Sequence, residues 1–293
     1  MSSATFRSLQ GKHFAFFGGT AGIGFAAAQA LAAEGASIAL IGRSQSTGQS
    51  AVSTLKSAGA GEVAFLEGDL STLKGGQAAA AKVQAWSPVL DGVVHSALTA
   101  CNEKRMTADG LEFYYAMQYQ VRITIDSLLR DNLAASGDGR IVHLAGPAPK
   151  MLTPNLNDLQ YEKTSWGFYK ACIGTHNLFF MFIQEARLRW QQQAISIAAV
   201  CVSSTKTKMQ LDPSMPLLMR LSNYFAVTPE VSAQNIITYM RWRKIEEKDR
   251  FGIFWDYKKS QISEPQQPEQ SARQLWSYTK QIAAMKGVVL DAM

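Results

Sequence analysis

Seven residues, Gly18-Gly19-Thr20-Ala21-Gly22-Ile23-Gly24, constrain the fold of this chain more than any others. They follow an apolar run, Lys12 to Gly18, and open a small-residue segment from Gly22 to about Glu34. A strand that turns through glycines into a helix is the start of a βαβ unit. Gly18 suits the tight turn. Gly22 removes a side chain where a pyrophosphate must approach the backbone, and Gly24 lets the helix pack close to the sheet. Thr20 and Ile23 belong to the same candidate cradle. The helix start adds free amides and a favourable dipole for phosphate. The competing reading is a glycine turn that serves only the fold; the strand–loop–helix context favours the nucleotide.

The rest of the chain continues the alternation. Strands are expected at Ala36–Gly42, Glu62–Glu67, Val89–Ser96, Arg140–Leu144, Ala194–Cys201 and Phe251–Trp255. Helices are expected at Gln45–Ala58, Ser71–Trp86, Ala108–Ala135, Glu162–Gln191 and Ala272–Met285, with another starting at Thr228-Pro229-Glu230. This is an α/β Rossmann fold, a doubly wound parallel sheet of about seven strands flanked by helices. One domain over 1–293 is expected, with a Met- and Leu-rich lid at about 203–227 and a C-terminal extension at about 257–293. Ser263–Gln270, with two prolines, reads as loop.

Composition narrows the function. Hydrophobic residues make up 47% of the chain, enough for a real core. The formal charge of +6 is dispersed, which suits an anionic small molecule and no nucleic acid. Cys101, Cys172 and Cys201 have no paired spacing, and His13, His95, His143 and His176 lack metal-ligand spacing, so no metal is expected. The polar stretch Met1–Gln10 does not read as a signal peptide, and no apolar run reaches the roughly 18 residues of a spanning helix. A cytoplasmic protein with no membrane partner follows.

The second strand ends in Ile41-Gly42-Arg43-Ser44. An acid here would bind a free ribose 2′-hydroxyl; Arg43 instead can pair with a 2′-phosphate, and Ser44 can add a hydroxyl. The expected cofactor is therefore NADP(H), the alternative being that Arg43 is a plain surface charge. In Gly68-Asp69-Leu70, Asp69 is placed either to accept from the adenine amino group or to cap the following helix. Ser96 closes the fourth strand, and Thr207 follows the sixth.

The Gly18/Gly22/Gly24 spacing, the Asp69-Leu70 pair, Asp109-Gly110-Leu111-Glu112 and the strand order together resemble the short-chain dehydrogenase/reductase family over about residues 10–260. The resemblance implies a tyrosine acid/base with a lysine four residues later, a serine and an asparagine. A phenol alone is too weak an acid or base near neutrality, and an adjacent cation shifts it. Here Lys170 holds the lysine position, but Trp166 stands where the tyrosine belongs. Tyr161 and Tyr169 have Ser165 and Ile173 four residues on, so neither replaces it. Gly146 falls at the serine position and Gln118 at the asparagine position. His95-Ser96-Ala97-Leu98 replaces the fourth-strand Asn-Ala-Gly. An indole N–H only donates and is no practical proton source at neutral pH.

Three readings remain. The first is a reductase that delivers hydride to an iminium or other activated acceptor. In it Lys170 holds the ribose, Trp166 forms a wall for a flat substrate, polycyclic or aromatic, and Arg122 orients an electron-rich group. This set of losses resembles fungal secondary-metabolism iminium reductase/Diels-Alderase homologues of the family. The second is a non-redox cyclase or isomerase that works by orientation alone. The third is a non-catalytic dinucleotide sensor. The resemblance further implies a homo-oligomer, joined through the long helices starting near Ala108 and Glu162.

Overall fold

A computed structural model describes residues 6–99, 101–256, 258 and 261–290. The expectations for Met1–Gln10 and for the extension at 257–293 thus fall partly outside the described residues. Strands β1 (His13–Phe17), β2 (Ser37–Gly42), β3 (Val63–Glu67), β4 (Gly92–His95), β5 (Gly139–Ala145), β6 (Ile195–Cys201), β7 (Phe251–Asp256) and β8 (Gln261–Ser263) form one sheet. Its order is β3-β2-β1-β4-β5-β6-β7-β8. All neighbours run parallel except β7 and β8. The antiparallel β8 is an eighth strand beyond the seven expected; at three residues beside a proline-rich loop it has no periodicity to read.

Helices α1 (Gly22–Ala32), α2 (Gln45–Ser57) and α7 (Pro229–Arg241) cover one face of the sheet. Helices α3 (Leu73–Trp86), α4 (Val121–Ala134), α5 (Thr175–Trp190) and α8 (Glu269–Met285) cover the other. A short α6 (Leu217–Ser222) lies in the expected lid. The strands are apolar almost throughout because helices bury both of their faces.

Both long helices start later than their sequences suggest. Ala108–Leu111 is a turn: Gly110 takes φ +72° and the Asp109 carboxylate accepts from Leu73 N, the first amide of α3, at 2.7 Å instead of opening its own helix. Helical backbone begins at Phe113 and passes through a π-helical turn, Tyr115–Gln120, into α4. Residues 162–167 are also non-helical. The Asp158 carboxylate gathers the amides of Glu162, Lys163 and Thr164 at 2.7, 3.2 and 2.8 Å. Helical backbone starts at Phe168, again through a π turn, Tyr169–Ile173.

Helix α8 lies against α5 and the turn before α4. Trp276 stacks on Phe182 at 5.4 Å, Tyr119 Oη and Thr279 Oγ1 are 2.9 Å apart, and Gln120 Nε2 donates to the Thr279 carbonyl at 2.9 Å. Leu275, Ala283, Val288 and Leu290 are buried with it. Burial of each larger side chain contributes about 1.5–3 kcal/mol. The two helices expected to meet a second copy are thus covered, in this part, by α8 of their own chain.

Candidate active site

The strand order reverses between β1, whose chain continues to β2, and β4 on its other side, so the crevice opens at their C-terminal ends. A cleft of about 470 Å³ occupies that place. It is lined by ten of the twelve residues expected to hold the cofactor: Gly18, Thr20, Gly22, Ile23, Gly24, Arg43, Asp69, Leu70, Ser96 and Thr207. Ser44 and Lys170 are not in the lining.

The glycines are required by geometry. Gly18 has φ +99°, and a Cβ there would meet Ala97 N at 2.3 Å. A Cβ on Gly24 would meet Ser96 Oγ at 2.1 Å, so the helix and strand close on hydrogen alone. Gly22 has φ +61° and faces open space toward Thr207 Cγ2 at 3.6 Å. Ala21, the residue capping α1, has no side-chain acceptor for the helix amides, and the first turn contains no acid. The open amides and bare backbone fit a pyrophosphate.

Arg43 is exposed at the cleft rim, where Nη2 makes a 3.4 Å contact with Thr99 Oγ1. Its guanidinium is available to a phosphate. Ser44 is instead the cap of α2, accepting from Thr47 N at 3.3 Å. Asp69 is not the cap of α3: Thr72 does that by accepting from Gly75 N, while Asp69 accepts from Ser71 N and Oγ at 2.9 and 3.0 Å. Ser96 Oγ donates to the Gly18 carbonyl at 3.1 Å and ties β4 to the turn.

The substrate end is arranged differently. Phe113 and Met117, one helical turn apart, line the cleft beside Leu98 and the lid residue Met209. With Tyr114, Tyr161, Phe168, Cys172 and Met215, Phe113 and Met117 form an apolar cluster apart from the two main cores, against which Trp166 and Met219 pack. Trp166 precedes the helix, so it does not share a helix face with Lys170. Its indole Nε1 donates to Glu112 Oε1 at 3.0 Å. Burial pushes the Glu112 carboxyl up, against the opposing pull of the Tyr115 amide and the indole. Lys170 is half-buried on the π turn.

Arg122 does not face the cleft, so the orienting role expected of it has no geometric support. It is 4% exposed and its Nη atoms donate to the carbonyls of His95, Leu144 and Ala97 at 3.3, 3.2 and 2.8 Å. It fastens the ends of β4 and β5. Burial lowers it to about 10, so it stays charged at neutral pH.

One cluster escaped sequence spacing. His95 and His143 are register partners on β4 and β5, and both face Asp126 of α4. His95 Nε2 donates to Asp126 Oδ1 at 2.7 Å; His143 Nε2 lies 2.8 Å from Oδ2, off the hydrogen-bond direction. Phe17, His95, His143 and Phe179 stack in turn at 5.1, 5.0 and 5.0 Å. His176 continues the column and accepts at Nδ1 from the Gly146 amide at 3.1 Å. Burial lowers His95 and His176 to about 4, so both are neutral at pH 7. Burial pushes Asp126 up, but the imidazoles outweigh it and hold the acid at about 2. Parallel rings facing one carboxylate form a buried strut between the strands and α4. The signal in sequence was only that His95 and His143 each fall near the C-terminal end of an expected strand.

Comparison with known proteins agrees with this geometry. The short chain dehydrogenase family matches residues 12–157. The human polyprenol dehydrogenase is 28% identical over 164 residues, 54% of this chain and 47% of that protein, so the chain spans about half the length of that relative. A Streptomyces lividans protein named "Probable oxidoreductase" is 26% identical over 203 residues, 69% of this chain and 67% of that protein. An uncharacterized protein from Mycobacterium paratuberculosis has a similar structure, with TM-score 0.70, 17% identity and 97% of each chain covered. L-Sorbose reductase from Gluconobacter frateurii, solved with NADPH and L-sorbose, gives TM-score 0.65 at 18% identity, covering 85% of this chain and 96% of that one.

Proposed function

Since residues 12–157 belong to the short chain dehydrogenase family, we propose that this chain is an NADP(H)-dependent reductase that gives hydride to an acceptor needing no phenolic proton donor. The observation that carries the reading is a contrast. The glycine cradle, the open start of α1 and the exposed Arg43 fit a 2′-phosphorylated dinucleotide. The position of the proton-transferring tyrosine holds Trp166, whose one N–H is already given to Glu112.

When bound, the cofactor supplies hydride from its nicotinamide. The chain's residues bind and orient. The amides at Gly22–Gly24 would hold the pyrophosphate, Arg43 the 2′-phosphate, and Asp69 the adenine. Phe113, Met117 and Leu98 exclude water from the acceptor. An iminium carbon suits such a site: the C=N electron pair returns to nitrogen as hydride arrives, and a neutral amine results without an added proton. An alkene polarised by a neighbouring group, protonated from water, is the other acceptor of this kind. The Phe113, Met117 and Leu98 side chains favour an apolar substrate, and the human relative's name, specifying a polyprenol, also points to an apolar one. The resemblance to fungal iminium reductase/Diels-Alderase homologues supports a place in secondary metabolism.

A cyclase reading has one observation in its favour. Phe113 and Met117, backed by the buried Tyr114, Tyr161, Phe168 and Met215, give the cleft an apolar wall that could hold a substrate by shape. We also infer a monomer, because α8 covers α5 and the turn before α4.

The test is binding and turnover together. NADPH and NADH dissociation constants measured by calorimetry should differ at least about tenfold in favour of NADPH. Cyclic iminium salts should then consume NADPH stoichiometrically, and simple ketones should not. Product formed with no change in cofactor absorbance assigns the pocket to cyclisation. Light scattering gives the mass, and a dimer refutes the inference from α8.

A further inference from the structure

The lid carries apolar side chains on two sides. Inward, Met215 is buried and Met219 packs beside it on the substrate-end cluster. Outward, Leu217, Leu218, Leu221, Tyr224 and Phe225 follow one another at helical spacing and are 65, 67, 61, 85 and 88% exposed. Leu211 adds to them. Six of the fifteen exposed large hydrophobic residues among those described thus fall within 211–225. The two aromatics alone present roughly 300 Å² of apolar surface, as much as a monomer ordinarily leaves bare in one patch. A short helix apolar on both sides is stable in contact with something on both sides.

Charge indicates what that is. Lys206, Lys208 and Arg220 are exposed on the same segment, and Asp212 is the only acid from 206 to 228. A second copy is a poor occupant, since a two-fold contact would set these cations against their equivalents. An anionic bilayer surface meets both requirements. It takes leucine and aromatic side chains at the headgroup boundary and attracts the cations. The segment is also the cleft's own border, because Lys206, Lys208 and Met209 line the cleft while the exposed leucines stand beyond them.

We propose that residues 211–225 dock this protein peripherally on an anionic membrane surface, with the lid as the contact and the cleft mouth turned toward the lipid. No helix among the described residues is long and apolar enough to cross a membrane, and docking needs none. This replaces the expectation of no membrane partner. It is independent of the cofactor reading, because the lid is judged by lipid binding alone.

The experiment is co-sedimentation of the full chain with vesicles of phosphatidylcholine alone, or with about one-third phosphatidylserine. The expected result is binding to the anionic vesicles at least about tenfold tighter than to neutral ones, weakened by salt. Tyr224→Ser combined with Phe225→Ser should reduce it at least about tenfold, and Arg220→Glu about fivefold, with the thermal midpoint by circular dichroism unchanged. Absence of binding to either vesicle by the wild type overturns the proposal. So does concentration-dependent self-association in ultracentrifugation that the Tyr224/Phe225 variant abolishes, which assigns the face to a second copy.

Discussion

At the Gly18–Gly24 turn the backbone decides the structure. A left-handed φ, a Cβ position 2.3 Å from Ala97 N and another 2.1 Å from Ser96 Oγ leave glycine without a substitute. At the Trp166 turn side chains decide it. Asp158 gathers three amides and Glu112 accepts the indole. Under the proposed function the first turn would hold what every dinucleotide presents, a pyrophosphate, and the second would offer the acceptor no phenolic proton donor.

Four changes test the contrast. Gly18→Val should have the largest effect, abolishing nucleotide binding by calorimetry and lowering the thermal midpoint, because it drives a branched side chain into backbone at a positive φ. Nucleotide affinity within about threefold of wild type would show that the turn is not the cradle.

Acid should act on the other half. His95 and His176 have folded values of about 4 against an ordinary 6.5. The unfolded chain therefore takes up protons that the folded one refuses. Stability is fully present above about pH 6.5 and falls as pH drops toward 4, by up to about 3 kcal/mol for each histidine. Asp126, held at about 2, adds a smaller loss below about pH 4. Calorimetric melting from pH 7.5 to 4.5 measures this, and a flat profile would contradict the neutral column.

Arg43→Asp should weaken NADPH about 10- to 100-fold and NADH less than about threefold. Equal losses would remove the 2′-phosphate role. The smallest effect is expected from Trp166→Tyr with Gly146→Ser. A Cβ at Gly146 meets nothing nearer than His176 Cε1 at 3.6 Å, so the serine fits. Ketone reduction should still stay near background, because position 166 precedes the helix and points its ring at Glu112. Strong ketone turnover would show that the lost side chains alone separate this site from an ordinary one.

The legible parts of the sequence were those in which one local rule acts. Strand apolarity placed β1 to β7, and the glycines, Arg43, Asp69 and Thr207 were placed by position after a strand. What was not legible depended on partners far along the chain. Asp109 looked like a helix start and became an acceptor for the first amide of α3; Ser44 looked like a ligand and became a helix cap. Arg122 lies on the expected helix, but three carbonyls from two strands and a loop turn it inward. Glu112 was read only as part of a motif, since its bond to Trp166 spans fifty-four positions. His95 and His143 meet because β4 and β5 are in register, which no spacing within either strand announces.

The position of α8 also orders events during synthesis. Tyr119 and Thr279 are 160 positions apart, and the Phe182 ring waits for Trp276. At ribosomal speeds of roughly 5–20 residues per second, that interval lasts on the order of ten seconds or more. From the making of Phe182 until that of Trp276 the aromatic flank of α5 is bare, so the nascent chain is open to chaperones and to misassociation until the residues that finish its core have been made.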